Sequence, residues 1–331
     1  MTWIWTTRPG FAGDLCEELG GGARADGPAV VFSETARLPE PWPVYARAGF
    51  PIAYDGPPAP DRLRLELELL LTERFPKKPW LLVAWVPDSD AQNPLAPRAQ
   101  ALGDKLLAEL ETARPDLTLR RAGSADAARY GGVLVQLALL GPGRAVLGAL
   151  PAADAPSLRP GGRARASMPG DAPSRAARKL AEAFEWIGRG PEPGETCVDL
   201  GAAPGGWTAV LLARRARVLA VDPARLAPDL AKRKGLVHVQ ASAFDFEPDE
   251  PVDWLLCDMA WRPLEVAALL AKWGRRRWAT TLVANIKLPM KQRVTFVRKV
   301  LEAVRSGGWQ DVRARQLYHD RDEITLAGWR T

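Results

Sequence analysis

Apolar positions follow two different patterns along this chain. In the first part, TWIWTTR near the start alternates like a strand, and residues 10–20 predict a short helix. Residues 63–75 have helical spacing, WLLVAWVP (80–87) reads as a buried strand, and 98–111 predict an amphipathic helix. VLVQLALL (133–140) is a second apolar strand. This mixture predicts small α+β modules and points to no function. Two breaks interrupt it. PIAYDGPPAPDR (51–62) reads as a linker or long loop. Residues 141–173, rich in Pro, Gly and Ala without apolar periodicity, predict no packed element.

Beyond the second break the pattern becomes regular. TCVDLGA, ARVLAVD, GLVHVQ, DWLLCDM and TTLVANIKL are five apolar strands in sequence. Helices fit between them at 206–215, 263–273 and 290–305, and PSRAARKLAEAF predicts a helix just before the first strand. Strands alternating with helices in this way mean a parallel sheet covered on both faces. Two last strands, 309–318 and 323–329, are joined by a short polar turn and predict an antiparallel hairpin. The fold class expected is therefore α/β, a Rossmann-like, mostly parallel sheet with a terminal antiparallel hairpin, preceded by α+β modules.

Composition adds limits rather than identity. The 331 residues exceed one ordinary domain, and 47% hydrophobic with 25% charged residues is globular. No apolar run is long enough to span a bilayer, and the first residues do not read as a signal peptide, so no membrane role is expected. Cys16, Cys197 and Cys257 are odd in number and lie in no metal-ligand spacing, so neither a disulfide framework nor a metal site is expected, and a cytoplasmic location fits. A net charge of +6 suits a polyanionic partner.

The chemistry sits in the second half. Asp199-Leu-Gly-Ala-Ala-Pro-Gly-Gly-Trp207 closes a strand and opens a helix. Gly201, Gly205 and Gly206 permit a tight turn and close approach of a ligand. The spacing is not GxGxxG, which favours a nucleoside carrying an amino acid over a dinucleotide. Asp222 ends the next strand, where an acid can grip ribose hydroxyls. Asp258 and Lys287 end parallel strands, Glu323 opens the last strand, and Lys179 lies in the preceding helix. Charges at the ends of buried strands are costly unless paired or used.

Lys179, Asp258, Lys287 and Glu323 resemble, in order and context, the Lys-Asp-Lys-Glu tetrad of RNA 2′-O-ribose methyltransferases. DLGAAPGGW is similar to the cofactor loop of that class. DAPSRAARKL, CDM, KLPMK, ARQLYHDRDE and RPGF resemble a bacterial branch that methylates a cytidine ribose of 23S ribosomal RNA. The resemblance implies S-adenosylmethionine as cofactor, held by Gly201, Ala203, Pro204, Gly205, Gly206, Trp207, Asp222, Ser242 and Asp258. It also implies 23S rRNA or a large-subunit precursor as partner, rather than DNA. It further implies a ferredoxin-like module (1–60) and a THUMP RNA-binding domain (61–150), followed by a linker (151–172) and the methyltransferase domain (173–331). There are departures: Ser242 stands where relatives carry an acid, and Ala176 where they carry a polar residue.

In this reading Lys287 is the general base, which requires lowering of its pKa by burial or nearby cations. Lys179 supplies a cation, and Glu323 orients Lys179 or the ribose. Asp258 orients Lys287 but by its charge would raise that lysine's pKa, so which effect wins stays open. Basic clusters at 232–234, 275–277 and Lys291, Arg293, Arg298 are expected to flank the site and, with Arg163 and Arg165, to meet phosphates. Trp261, Trp273, Trp278 and Trp309 are candidates for base stacking, with core packing as the alternative for most of them. Three other readings stay open: an RNA-binding protein without activity, a nucleotide-dependent oxidoreductase, and a base methyltransferase. Against the last, Asp258-Met-Ala-Trp261 is not the Asn/Asp-Pro-Pro-aromatic sequence of amino methylation.

Overall fold

The computed structural model describes residues 1–35, 38–164, 174 and 176–330. The chain divides into two compact units, Met1–Arg163 and Ala164–Thr331.

The first unit runs β1 (Thr2–Thr6), α1 (Ala12–Leu19), β2 (Arg24–Ala25), β3 (Val30–Glu34), β4 (Ala48–Gly56) and α2 (Pro60–Leu69), which continues as a π-helical turn, Leu70–Arg74. It then runs β5 (Trp80–Trp85), α3 (Ala96–Ala113), α4 (Pro115–Thr118), α5 (Ser124–Arg129), β6 (Val133–Gly141) and β7 (Arg144–Pro151). The strands form one sheet in the order β2-β3-β1-β4-β7-β6-β5, antiparallel except for the β5–β6 pair. One apolar layer joins Leu63, Leu67, Leu106 and Leu110 from α2 and α3 to Trp80, Val133 and Leu147. Another gathers Ile4, Val30, Phe32 and Phe50.

Both expected breaks contain structure. Residues 51–62 hold the end of β4 and the start of α2, not a linker. Pro51 is tolerated because β4 changes partner there: Ala48 to Pro51 pair with β1, and pairing to β7 begins at Ile52. A missing N–H costs least at such a handover. Residues 144–151 form β7, which lies inside the sheet with Ala145, Val146, Leu147, Ala149 and Leu150 buried. Its small residues are a packing requirement, since a Cβ on Gly148 would lie 2.1 Å from the Pro51 carbonyl oxygen. The later part of that break, 165–173, lies outside the described residues.

The second unit runs α6 (Ala176–Ile187), β8 (Thr196–Leu200), α7 (Gly206–Ala213), β9 (Arg217–Val221), α8 (Pro228–Ala231) and β10 (Leu236–Val239). It continues with β11 (Val252–Cys257), α9 (Pro263–Arg276), β12 (Ala279–Lys287), α10 (Arg293–Arg305), β13 (Gln310–Arg315) and β14 (Glu323–Trp329). The sheet order is β10-β9-β8-β11-β12-β14-β13, with the first five strands parallel. The last two close it as the expected antiparallel hairpin. Trp254 and Leu256 pack with Leu180, Phe184 and Leu211 of α6 and α7. Strand alternation turns Leu255 to the opposite face, and it too is buried. α9 and α10 pack on each other and against β12 and β13.

This topology decides where chemistry gathers. Parallel strands β8 to β12 all deliver their carboxyl ends to one edge, and β14, running the other way, brings its first residue to that edge as well. Lys287 and Glu323 are direct partners in the β12–β14 register.

Candidate active site

The cofactor loop follows β8. Gly201 has φ +77°, and a Cβ there would sit 2.7 Å from Met259 Cγ, so the turn needs glycine. Gly205 (φ 114°) opens α7, and a Cβ on Gly206 would meet Ser174 Oγ. Ala203 is half-buried and Pro204 exposed, which leaves the loop accessible from outside. Asp222, just past β9, accepts N–H bonds from Ala203 (3.0 Å) and Ala224 (2.8 Å). A carboxylate has about four lone-pair sites, so both oxygens can take further donors.

Asp199, at the base of the loop, is fully buried. Burial pushes its carboxyl up to about 7, opposed by the hydroxyl of Thr208 bonded to Oδ2 at 2.6 Å. Its Oδ1 has no partner among the described residues. A close-approach turn, an acid with spare acceptors and an orphaned buried oxygen fit a nucleoside with a cationic amino-acid tail. Trp207 does not face this space. It is 3% exposed, sits in the core, and donates its indole N–H to the Ala176 carbonyl at 3.1 Å, tying the loop to α6. Ser242 Oγ accepts the Phe244 N–H at 3.2 Å and shapes the loop after β10.

Three of the four tetrad groups touch. Lys179 Nζ lies 2.6 Å from Glu323 Oε1 and 3.7 Å from Asp258 Oδ1. Burial alone would lower the Lys179 pKa, but Asp258, Glu323 and Asp320 together outweigh it, and the net shift is upward. Lys179 is therefore a fixed cation. Burial raises the Asp258 carboxyl, Lys179 lowers it, Glu323 raises it, and Asn285 and Lys287 lower it; the net shift is upward. Asp258 pairs with Lys179, and the Lys287 charge acts on the same carboxyl. Lys287 is exposed, and among the described residues it forms no ion pair. Its place beside Glu323 puts the two Cβ atoms about 5 Å apart.

Several supporting residues were not singled out from sequence. Asn285, buried within β12, accepts the Thr325 hydroxyl at 2.8 Å and lies beside Asp258. A polar residue inside TTLVANIKL was a visible signal. Glu182, one turn after Lys179, accepts the N–H groups of Tyr318 (2.7 Å) and His319 (2.9 Å) and meets His319 Nδ1 at 2.7 Å. Asp320 is fully buried, accepts the Leu317 N–H at 2.9 Å, and has its pKa pushed well up by burial. Thus α6 grips the turn before β14 through Glu182 and the first residue of β14 through Lys179.

The basic residues separate by strand polarity. Lys291, Arg293 and Arg298 follow β12, and Lys291 is exposed at the site edge. Clusters 232–234 and 275–277 instead precede β10 and β12, at the opposite edge. The nine residues of β12 span about 26 Å, from its start just after 275–277 to Lys287. Neither cluster flanks the site. Arg163 is engaged by the Val86 carbonyl (3.0 Å), Asn93 (3.2 Å) and Asp88 (3.7 Å), and Arg165 lies outside the described residues.

Residues 172–303 match the FtsJ-like methyltransferase family. A relative from Halorhodospira halophila, named ribosomal RNA large subunit methyltransferase M, is 39% identical over 314 residues, covering 92% of this chain and 86% of its own. A protein of the same name from Alkalilimnicola ehrlichii is 35% identical over 356 residues, covering 99% and 94%. Among solved structures, a putative ribosomal RNA methyltransferase from Plasmodium falciparum is 17% identical over 47% of this chain and 96% of that one, with a TM-score of 0.38. Identity at this level over nearly the whole length, together with the strand-edge tetrad, makes this chain a member of the ribosomal RNA large subunit methyltransferase M family.

Proposed function

We propose that this chain transfers a methyl group from S-adenosylmethionine to the 2′-hydroxyl of a cytidine ribose in 23S ribosomal RNA. One observation carries the reading: a lysine held as a cation between two carboxylates, with a second lysine, in no ion pair among the described residues, directly opposite one of those carboxylates in the β12–β14 register. The cofactor would be held by the 201–206 turn, Asp199 and Asp222, and when bound it supplies a methyl group on a positively charged sulfur.

Lys287 would take the hydroxyl proton as an oxygen–methyl bond replaced the sulfur–methyl bond of the cofactor, whose sulfur would leave as a neutral thioether. Glu323 holds the Lys179 ammonium through one N–H, which leaves the others to stabilise charge growing on the ribose oxygen. Asp258 offsets that cation, and its remaining lone pairs face the edge where donor and acceptor meet. Asn285 and Thr325 brace Asp258 from the sheet. The first unit would hold structured RNA, with the ferredoxin-like part (1–60) and the THUMP part (61–150) sharing β4 as a common strand. The enzyme would work in the cytoplasm, where its three free cysteines stay reduced.

Turnover on rRNA and cofactor affinity test the base assignment. Lys287→Ala and Lys287→Arg should lose at least about 100-fold in kcat, the scale of general-base catalysis, with cofactor Kd within twofold. A Lys287→Ala chain that methylates at the normal rate removes Lys287 from this role.

A further inference from the structure

The four tryptophans that sequence offered as stacking candidates have different surroundings. Trp273 is fully buried, and Trp309 is in the core with its indole N–H on the Leu270 carbonyl at 2.8 Å. Trp278 has Lys272 Nζ over its ring at 5.2 Å and the Arg276 guanidinium at 6.0 Å. Trp261 alone among them is open, 51% exposed. We propose that Trp261 is a stacking platform for a nucleobase of the RNA substrate beside the reacting ribose; this rests on the RNA methylation reading above.

Trp261 lies three residues beyond Asp258 on the loop joining β11 to α9. That loop is packed against the cofactor turn, as the closeness of Met259 to Gly201 shows. The ring is exposed but held. Its Nε1–H donates to Glu265 Oε2 at 2.7 Å, and Arg262 holds the other oxygen of Glu265 at 3.0 Å. Phe244 supports it with ring centroids 5.9 Å apart, tilted by 55°. An aromatic surface fixed in orientation and still half open loses little freedom when a flat partner lands on it.

Its neighbourhood suits single-stranded RNA. Among the described residues of the second unit, the exposed large hydrophobics are Val237, Trp261, Leu264 and Met290. The last three sit on the segments that follow β11 and β12, the strands that deliver Asp258 and Lys287. Lys291, exposed, adds a cation to the segment after β12, and Arg262, also exposed, is paired with Glu265. Bases on an aromatic face with phosphates on cations is how unpaired strands are held. A ribose 2′-hydroxyl that must meet Lys287 is most accessible when its nucleotide is splayed from its neighbours.

The competing occupant is the cofactor's adenine, because Phe244 lies two residues past Ser242. Trp261→Ala and Trp261→Phe in the full chain separate the two. Three quantities are measured: S-adenosylmethionine Kd by calorimetry, Kd for a 23S rRNA transcript over a salt series, and KM and kcat. Trp261→Ala should weaken RNA binding about 5- to 100-fold, the scale of one base stack, with an unchanged salt slope because no charge is lost. Cofactor Kd should stay within twofold, and Trp261→Phe should recover most of the RNA affinity. Unchanged RNA Kd and KM in Trp261→Ala overturn the proposal. A matching loss of cofactor affinity also overturns it, by assigning the ring to the adenine. Failure of the wild-type chain to methylate the transcript would instead sink the function on which the proposal rests, and would show before any variant is compared.

Discussion

Replacing Lys179 with methionine keeps the length of the side chain and removes its charge, leaving Asp258 and Glu323 facing each other. Their side chains are 20% and 11% exposed, so water screens them only partly. Breaking a fully buried pair costs about 3–5 kcal/mol, and this partial exposure puts the loss near the bottom, about 3 kcal/mol at pH 7.5. For a unit of this size that is a fall in Tm of about 6–12 °C.

The sign of the pH dependence follows from the two shifts. Asp258 is raised in the folded chain and should rise further without Lys179. A carboxyl with a raised folded pKa binds protons on folding. Its penalty is therefore absent below the unfolded value of about 3.9 and grows as pH rises toward the folded value. The variant's deficit should shrink by half or more between pH 7.5 and pH 5. In the wild type, the raised Lys179 contributes stability that is complete below its unfolded value, about 10.4, and is lost as pH rises through the folded one. Guanidinium unfolding of the full chain, followed by tryptophan fluorescence at both pH values, measures this. The transition of the second unit is recognised by its stabilisation with cofactor. Adding Glu323→Gln to Lys179→Met should restore more than half of the loss by removing the repulsion. A deficit below about 0.5 kcal/mol, or one that grows at pH 5, would refute the reasoning.

Two further outcomes are expected. Asp222→Ala should weaken S-adenosylmethionine binding about 10- to 100-fold in calorimetry, the scale of charged hydrogen bonds, while the chain stays folded by circular dichroism. Glu182→Gln should lower kcat several-fold with little change in KM for RNA, because Glu182 acts through the 317–319 turn that leads into Glu323; steady-state kinetics across pH 6–9 would show it.

The second unit was largely legible because its strands are apolar runs ending in conspicuous charges, and strand polarity alone carries those charges to one edge. Lys179 could be assigned to a helix, but its partners could not be read, since only the packing of α6 brings Nζ between Asp258 and Glu323. The same limit hid the role of Trp207: a tryptophan within a ligand loop looks like a ligand contact until its ring is seen in the core. Strand β7 was missed because its Ala and Gly residues answer a spatial constraint, the nearness of Pro51, that leaves no periodic trace. Pro51 misled for a related reason, as a break in sequence marks only a change of pairing partner in the sheet. The cations at 232–234 and 275–277 look near the site in sequence, but each precedes a parallel strand and so lies at the opposite edge, which spacing along the chain does not show.

The most direct test of the account is mass mapping of methylated nucleosides on 23S rRNA. The rRNA comes from cells lacking this gene, complemented either with the wild-type chain or with Lys287→Ala. The account predicts one cytidine that carries a ribose methyl with the wild-type chain and lacks it both without the gene and with Lys287→Ala. A methyl restored on a base rather than a ribose, or a ribose methyl restored equally by Lys287→Ala, would contradict it.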